Sequence, residues 1–293
     1  MLVIASYGRQ FVVRIADGRL LAAVTRGKRV DVSVGDRAQI QQTSDAQAVI
    51  DRIQPRRNQL QRTNERRSQR LAANIDQVGM VIAGSPLFAE ELLIRVLIAA
   101  ETEGIEVALI ANKCDLVEPF ALIEARLDCY RALGYPVLAI AAKTQSQAAR
   151  AVLTPWLAGK TTLLLGQSGM GKSTLINTLV PAAQLATQEI SQALSAGKHT
   201  TTFSRLFELP AAADSLIIDS PGFQSFGLGH LSGSQLIHGM REFAPLLGRC
   251  RFNDCTHRDE PGCAIRSGVE AGKLDAERYR LFARVIGQAS SRR

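Results

Sequence analysis

The segment Gly166-Gln167-Ser168-Gly169-Met170-Gly171-Lys172-Ser173 constrains this chain more than any other. It follows the apolar run TLLL and opens the helix-forming run STLINTL, so a strand must turn sharply on glycines and re-enter as a helix. Such a turn is a phosphate cradle. Its glycines let several backbone N–H groups converge, and the helix N-terminus adds a favourable dipole. Lys172 can reach β- and γ-phosphates as a point charge, Ser173 can ligate Mg²⁺, and Thr174 continues the turn. A strand that delivers a ligand in this way belongs to an open α/β sheet, where ligands sit at the strand ends.

The surrounding pattern supplies that sheet. Gln77–Gly84, Glu106–Ala111, Val137–Ile140, Thr161–Leu165, Phe203–Leu209 and Ser215–Ile218 read as six strands. Helices are expected between them at Phe88–Glu103, Ala121–Leu133, Ser146–Leu157 and Lys172–Leu179, which predicts a mainly parallel sheet. Before it, five short strands divided by Asp17-Gly18, Gly27-Lys28 and Gly35-Asp36 suggest a small β-barrel of OB type over residues 1–54. Residues 55–73, PRRNQLQRTNERRSQR and its continuation, read as a basic linker. Arg52, Arg56, Arg57, Arg62, Arg66, Arg67 and Arg70 crowd around it, suited to a phosphate backbone or to a solvated face. The nucleotide domain is expected over 74–229. Residues 230–293 form a last unit with helices near Ser232–Met240 and Leu274–Val285.

Two further motifs sharpen the chemistry. Asp219-Ser220-Pro221-Gly222 ends the strand LIID, where Asp219 can hold magnesium and the Gly222 amide can sense a γ-phosphate. Asn112-Lys113-Cys114-Asp115 closes the strand VALIA. The Asp115 carboxylate can accept from both the ring N–H and the amine of guanine, whereas adenine offers an acceptor there. Lys113 can lay its stem along the base, and Asn112 would tie this loop to the phosphate loop. After the next strand comes Ala141-Ala142-Lys143, a weak motif in which the amide of Ala142 or Lys143 could meet the guanine oxygen. These segments resemble those of P-loop GTPases, in which the phosphate loop comes first and the base loop late. Here the order is rotated. Only Ala158–Lys160 joins the old last helix to the old first strand, and circular permutation of this kind is tolerated where termini lie close.

The polar stretch between Pro181 and Phe203, with SAGKHTTT, occupies the place of a switch loop. Thr201, or alternatively Thr200, would close over Mg²⁺ and the γ-phosphate. Phe223 stands where many GTPases carry a water-orienting glutamine and cannot orient water by hydrogen bonding. His199 is the local candidate for that task, with a loop-ordering role as the alternative, and Gln224 ranks behind it.

Cys250, Cys255, His257 and Cys263 form C-x4-C-x-H-x5-C, a Cys₃His set suited to one closed, structural zinc site. Because DSPG runs on toward this unit, nucleotide state has a covalent route to it. Cys114 and Cys129 read as small, partly buried hydrophobes, and His230 and His238 as packing or surface residues.

Taken in order, AVIDRIQPRRNQLQR, AANIDQVGMVIAG, NKCD, GQSGMGKS, GKHTTT, DSPGF and CRFNDCTHRDEPGC resemble the RsgA family of circularly permuted bacterial GTPases. The resemblance spans most of the chain. It implies an OB-type barrel, a central GTPase domain and a C-terminal zinc-binding domain. It also implies late maturation of the small ribosomal subunit, with hydrolysis stimulated by the subunit and linked to release, and a switch histidine in the reaction, here His199. The chain begins almost at the barrel, without the basic extension of many members, which leaves a shorter paralogue with weaker ribosome coupling to weigh.

Thirty-five basic against 27 acidic residues give a net charge of +8, which favours an anionic partner such as rRNA. No apolar run spans a bilayer, no secretory leader is evident, and five unevenly placed cysteines make no disulfide framework. A cytoplasmic monomer that binds GTP and GDP and no membrane is therefore expected. The competing readings are a nucleotide-gated RNA-binding module with incidental hydrolysis and a P-loop ATPase or kinase. NKCD speaks against ATP.

Overall fold

A computed structural model describes residues 1–26, 31–63, 68–183 and 204–290. The first five strands are β1 (Leu2–Tyr7), β2 (Gln10–Arg14), β3 (Leu20–Thr25), β4 (Ala38–Gln42) and β5 (Gln47–Ile53). β1, β2 and β3 pair antiparallel, β3 pairs parallel with β5, and β5 pairs antiparallel with β4. The ring closes where Leu2 bridges Arg37, with Ala38 N–H donating to Met1 O at 2.8 Å and Val3 N–H to Asp36 O at 2.9 Å. Val3, Phe11, Val13, Leu21, Ala23, Ala48 and Ile50 fill the ring. Ile4 and Val12, on the other side of the same strands, pack into the main core. The continuous apolar run FVV thus follows from burial on both faces.

The barrel is joined to the nucleotide sheet edge to edge. β1 pairs with β12 (Arg205–Glu208), and the sheet continues through β13 (Leu216–Asp219), β11 (Thr161–Gly166), β8 (Gln77–Ile82), β9 (Glu106–Asn112) and β10 (Val137–Ile140). β13, β11, β8, β9 and β10 are mutually parallel, and β12 alone runs against them. Helices α1 (Glu90–Thr102), α2 (Val117–Ala132), α3 (Ser146–Leu157) and α4 (Lys172–Leu179) connect them. Every residue of β8 is buried, the mark of a central parallel strand covered on both faces.

Three departures from the sequence expectation matter. Residues 55–73 are more than a linker: β6 (Gln59–Thr63) and β7 (Ser68–Ala73) pair as an antiparallel ribbon. Leu60, Leu71, Ala72 and Ala73 are its buried apolar positions, too few to announce strands among so many polar ones. α1 is buried at eight successive positions, Leu93 to Ala100, because the C-terminal unit covers its outer side. That unit contains α5 (Gly233–His238), a 3₁₀ turn (Arg241–Leu246), α6 (Ala264–Glu270), which the spacing did not predict, and α7 (Ala276–Ser290). A capping box between Ser232 and Gln235 starts α5. Arg278 pairs with Glu242 inside the unit, and Arg126 of α2 donates to both Glu90 of α1 and Asp275, locking the unit to the nucleotide domain.

Candidate nucleotide and metal sites

The rotated motifs converge because each lies at the C-terminal end of a parallel strand. NKCD ends β9, AAK follows β10, the glycine turn follows β11 and DSPG follows β13. One side chain fastens three of these loops. Asn112, 3% exposed, donates from Nδ2 to Met170 O at 2.9 Å and accepts at Oδ1 from Ala142 N–H at 3.1 Å. Lys113 reaches across the same turn, its Nζ donating to Gly169 O and Ser85 O, both at 2.7 Å. Gly171 stands at the N-cap of α4 with φ +89°, and a Cβ there would overlap Asn112 Nδ2. Only glycine satisfies both demands.

Within the turn, Gln167 Oε1 accepts from Ala89 N–H at 2.7 Å, while Ser168 and Gly169 are exposed. Lys172 is nearly buried and its ammonium pairs with the Asp219 carboxylate, so the two charged groups expected to take phosphate and magnesium share one spot. Ser173 and Thr174 are exposed in the first turn of α4, whose leading N–H groups have no acceptor within the helix. Gly222 faces this turn: a Cβ on it would lie 3.5 Å from Ser168 N, and Phe223 N–H reaches Gly166 O at 3.4 Å. Thr144 and Thr178 also join the loops, although no motif marks them. Thr178 Oγ1 donates to Ala142 O at 3.1 Å, and Thr144 Oγ1 donates to Asp115 Oδ2 at 2.8 Å. His199, Thr200 and Thr201 lie outside the described residues.

The metal set is equally well gathered. The ligand atoms of Cys250, Cys255, His257 and Cys263 all lie within 4.8 Å of one another. His257 Nδ1 is 3.5 Å from both Cys250 Sγ and Cys263 Sγ. Tetrahedral zinc with bonds of about 2.0–2.3 Å needs ligand separations of roughly 3.5–3.8 Å, so the donor set fits that ion. Backbone N–H groups of Ala264 and Arg266 point at Cys250 Sγ and Cys263 Sγ, and Tyr279 of α7 donates to His257 O at 2.8 Å. Burial, with Cys263 and Cys250 adjacent, pushes the Cys255 thiol up to about 12; a cation is what such a cluster needs to become thiolate.

With this geometry in place, kinship is informative. The RsgA GTPase family model matches residues 53–229, more than half of the chain. The chain belongs to the RsgA GTPase family. The small ribosomal subunit biogenesis GTPase RsgA of Paraburkholderia xenovorans is 48% identical over 293 residues, covering 99% of this chain and 93% of the relative. The protein of the same description from Bordetella pertussis is 47% identical over 292 residues, covering 100% and 97%. Among solved structures, YjeQ from Thermotoga maritima aligns with a TM-score of 0.75 at 26% identity, covering 100% of this chain and 98% of that one. YloQ, described as a circularly permuted GTPase, aligns at 0.71 and 25%, covering 100% and 95%. The permuted arrangement read from the motif order agrees with the match to YloQ, and GTP hydrolysis is the activity of the family.

The RsgA match starts at residue 53 and so takes in the β6–β7 ribbon, which holds the segment after DSPG. Thr63 and Gly227 exchange backbone hydrogen bonds of 2.8 and 3.1 Å, and Thr63 Oγ1 lies 3.1 Å from His230 Nδ1. Arg62 donates to Ser225 O and sits 5.9 Å from the ring of buried Phe223, which packs on Phe226. Phe223 is therefore a packing residue. The described arginines within and just before the ribbon are engaged inside the chain. Arg56 forks onto Asp36, Arg57 pairs with Asp76, and Arg70 pairs with Asp31. Arg52 is exposed, and Arg66 and Arg67 lie outside the described residues. Among the described residues no helix is long and apolar enough to cross a membrane.

Proposed function

We propose that this chain hydrolyses GTP to GDP and phosphate on the small ribosomal subunit late in its assembly, and that the subunit stimulates hydrolysis and is released by it. The observation that carries the reading is Asn112, which joins the base loop, the phosphate loop and the AAK loop into one pocket. Relatives described as small ribosomal subunit biogenesis GTPases, which align along nearly their whole length, support the choice of subunit.

In that pocket Asp115 reads guanine against adenine, with Lys113 along the base. Ala142 N–H is already engaged by Asn112, so the Lys143 amide is the better placed donor to the guanine oxygen. Residues Gly166 to Thr174 wrap the phosphates, and Lys172 exchanges Asp219 for the β- and γ-phosphates when nucleotide enters. Ser173, Asp219 and Thr201 would hold Mg²⁺, which supplies charge neutralisation at the β- and γ-oxygens. The Gly222 amide senses the γ-phosphate. His199 is assigned to the attacking water, since buried Phe223 has no hydrogen-bonding group for it. Cys250, Cys255, His257 and Cys263 would hold one structural zinc. The chain works as a cytoplasmic monomer, and exposed basic residues, Arg52 among them, meet rRNA phosphates rather than bases.

GTP and ATP turnover measured with and without small ribosomal subunits tests the whole. Stimulation of GTP turnover alone is expected. Tight GTP-dependent binding without stimulation would instead make the chain a nucleotide-gated RNA-binding module.

A further inference from the structure

The geometry points to Thr144 as the residue that sets guanine selectivity by holding the Asp115 carboxylate in its base-reading orientation, an inference that rests on Asp115 being the base reader. Asp115 is exposed in a turn, so no packing fixes it. The terminal torsion of an aspartate is broad, and a free carboxylate plane turns readily in water. Accepting two bonds from one edge of guanine requires that plane to coincide with the base plane.

Thr144 supplies the missing constraint. Its Oγ1 donates to Asp115 Oδ2 at 2.8 Å, a charge-assisted bond. The turn that presents the hydroxyl is itself pinned. Gln145 N–H donates to Ala141 O at 2.8 Å, Ala142 N–H to Asn112 Oδ1 and Thr178 Oγ1 to Ala142 O. Opposite, Cys114 N–H donates to Ile140 O at 3.1 Å, fixing the base loop against the end of β10. The loops are thus held together without Thr144, and an exposed hydroxyl–carboxylate pair adds little to their stability. What it adds is direction. A carboxylate has about four acceptor sites, so Oδ2 can keep Thr144 while both oxygens receive guanine N–H groups.

The test compares GDP, IDP and ADP binding in the full-length protein, IDP lacking the 2-amino group. Thr144→Ala and Thr144→Val are expected to weaken GDP about three- to tenfold. The GDP-over-IDP preference should shrink by a similar factor, with ADP binding unchanged. KM for GTP should rise while kcat at saturation holds. Thr144→Ser, which keeps the hydroxyl, should stay within about twofold of the parent. A parent that prefers GDP over ADP, with Thr144→Ala leaving the GDP-to-IDP ratio intact, overturns this inference alone. So does a serine variant as weak as alanine. A parent with no preference for GDP over ADP removes the base-reading assignment and this inference with it.

Discussion

Replacing Asn112 tests whether the rotated loops form one pocket by way of a single side chain. Asn112→Ala removes the bonds to Met170 O and Ala142 N–H, and both of those residues are only 2% exposed. Each backbone group left buried without a partner costs about 1–3 kcal/mol. Water can enter the space the amide vacates, which favours the lower half of the range, so a loss of about 2–4 kcal/mol in unfolding free energy is expected. Nucleotide must then order loops that the parent holds ready, and GDP affinity should fall by roughly ten- to a hundredfold. Asn112→Asp separates hydrogen bonding from bulk. One oxygen can still accept from Ala142 N–H, but the other meets the Met170 carbonyl, acceptor against acceptor, with a buried charge added. It should therefore be at least as damaging as alanine despite its nearly identical shape. Urea unfolding and calorimetric GDP titration read both quantities. An aspartate variant that unfolds and binds GDP like the parent would refute the reasoning.

Other outcomes follow from the same contacts. Arg56→Gln leaves the fully buried Asp36 carboxylate unpaired and should cost about 3 kcal/mol in urea unfolding, whereas Arg52→Gln should leave stability unchanged and lower the salt slope of small-subunit binding by about one. Metal analysis should find one zinc per chain. Cys255→Ser should lower that stoichiometry and raise amide exchange from Cys250 to Cys263, with GDP binding retained. Burial lowers the His230 pKa below the ordinary value of about 6.5. The folded state thus favours the neutral ring, whose contribution is complete above that value and is lost as pH falls through the lowered one. Unfolding measured from pH 7.5 to 5 should show a steeper decline in the parent than in His230→Gln, and equal slopes would contradict the assignment.

The sheet was legible because its strands and helices carry clear periods. Ser146–Leu157, Lys172–Leu179 and Val137–Ile140 were read at the bounds the structure shows. The motif loops were legible because phosphate and guanine admit few solutions in residue type. What escaped depends on partners distant in the chain. The ribbon 59–73 carries half-buried Arg62 and Arg70 on strands whose apolar positions are few, and the carboxylates that pair with Arg56, Arg57 and Arg70 are Asp36, Asp76 and Asp31. Ile94, Arg95 and Ile98 look like solvent positions of an amphipathic helix until the C-terminal unit covers them. Helix α6 is hidden because AIRSGVE is too short a run to show a helical period. Thr144 and Thr178 belong to no pattern; only proximity gives them their contacts.

Chain connectivity suggested that the phosphate-sensing segment would lead to the metal unit, and packing gives it a nearer neighbour. From Phe223 to His230 the chain lies along β6, and Gly227 comes so close that a Cβ would overlap Thr63 O. β6 and β7 lie between the barrel and the nucleotide sheet in sequence, and Arg56, just before β6, forks onto Asp36 at the seam where the barrel closes. The metal unit instead rests on α1 and α2 through Glu90, Arg126 and Asp275. Along the chain from Gly222, the Thr63–Gly227 pair is therefore met before the Cys₃His cluster. The segment after Gly222 is thus tied to the ribbon by two backbone hydrogen bonds between residues far apart in the chain, while the barrel meets the nucleotide sheet separately through the β1–β12 edge.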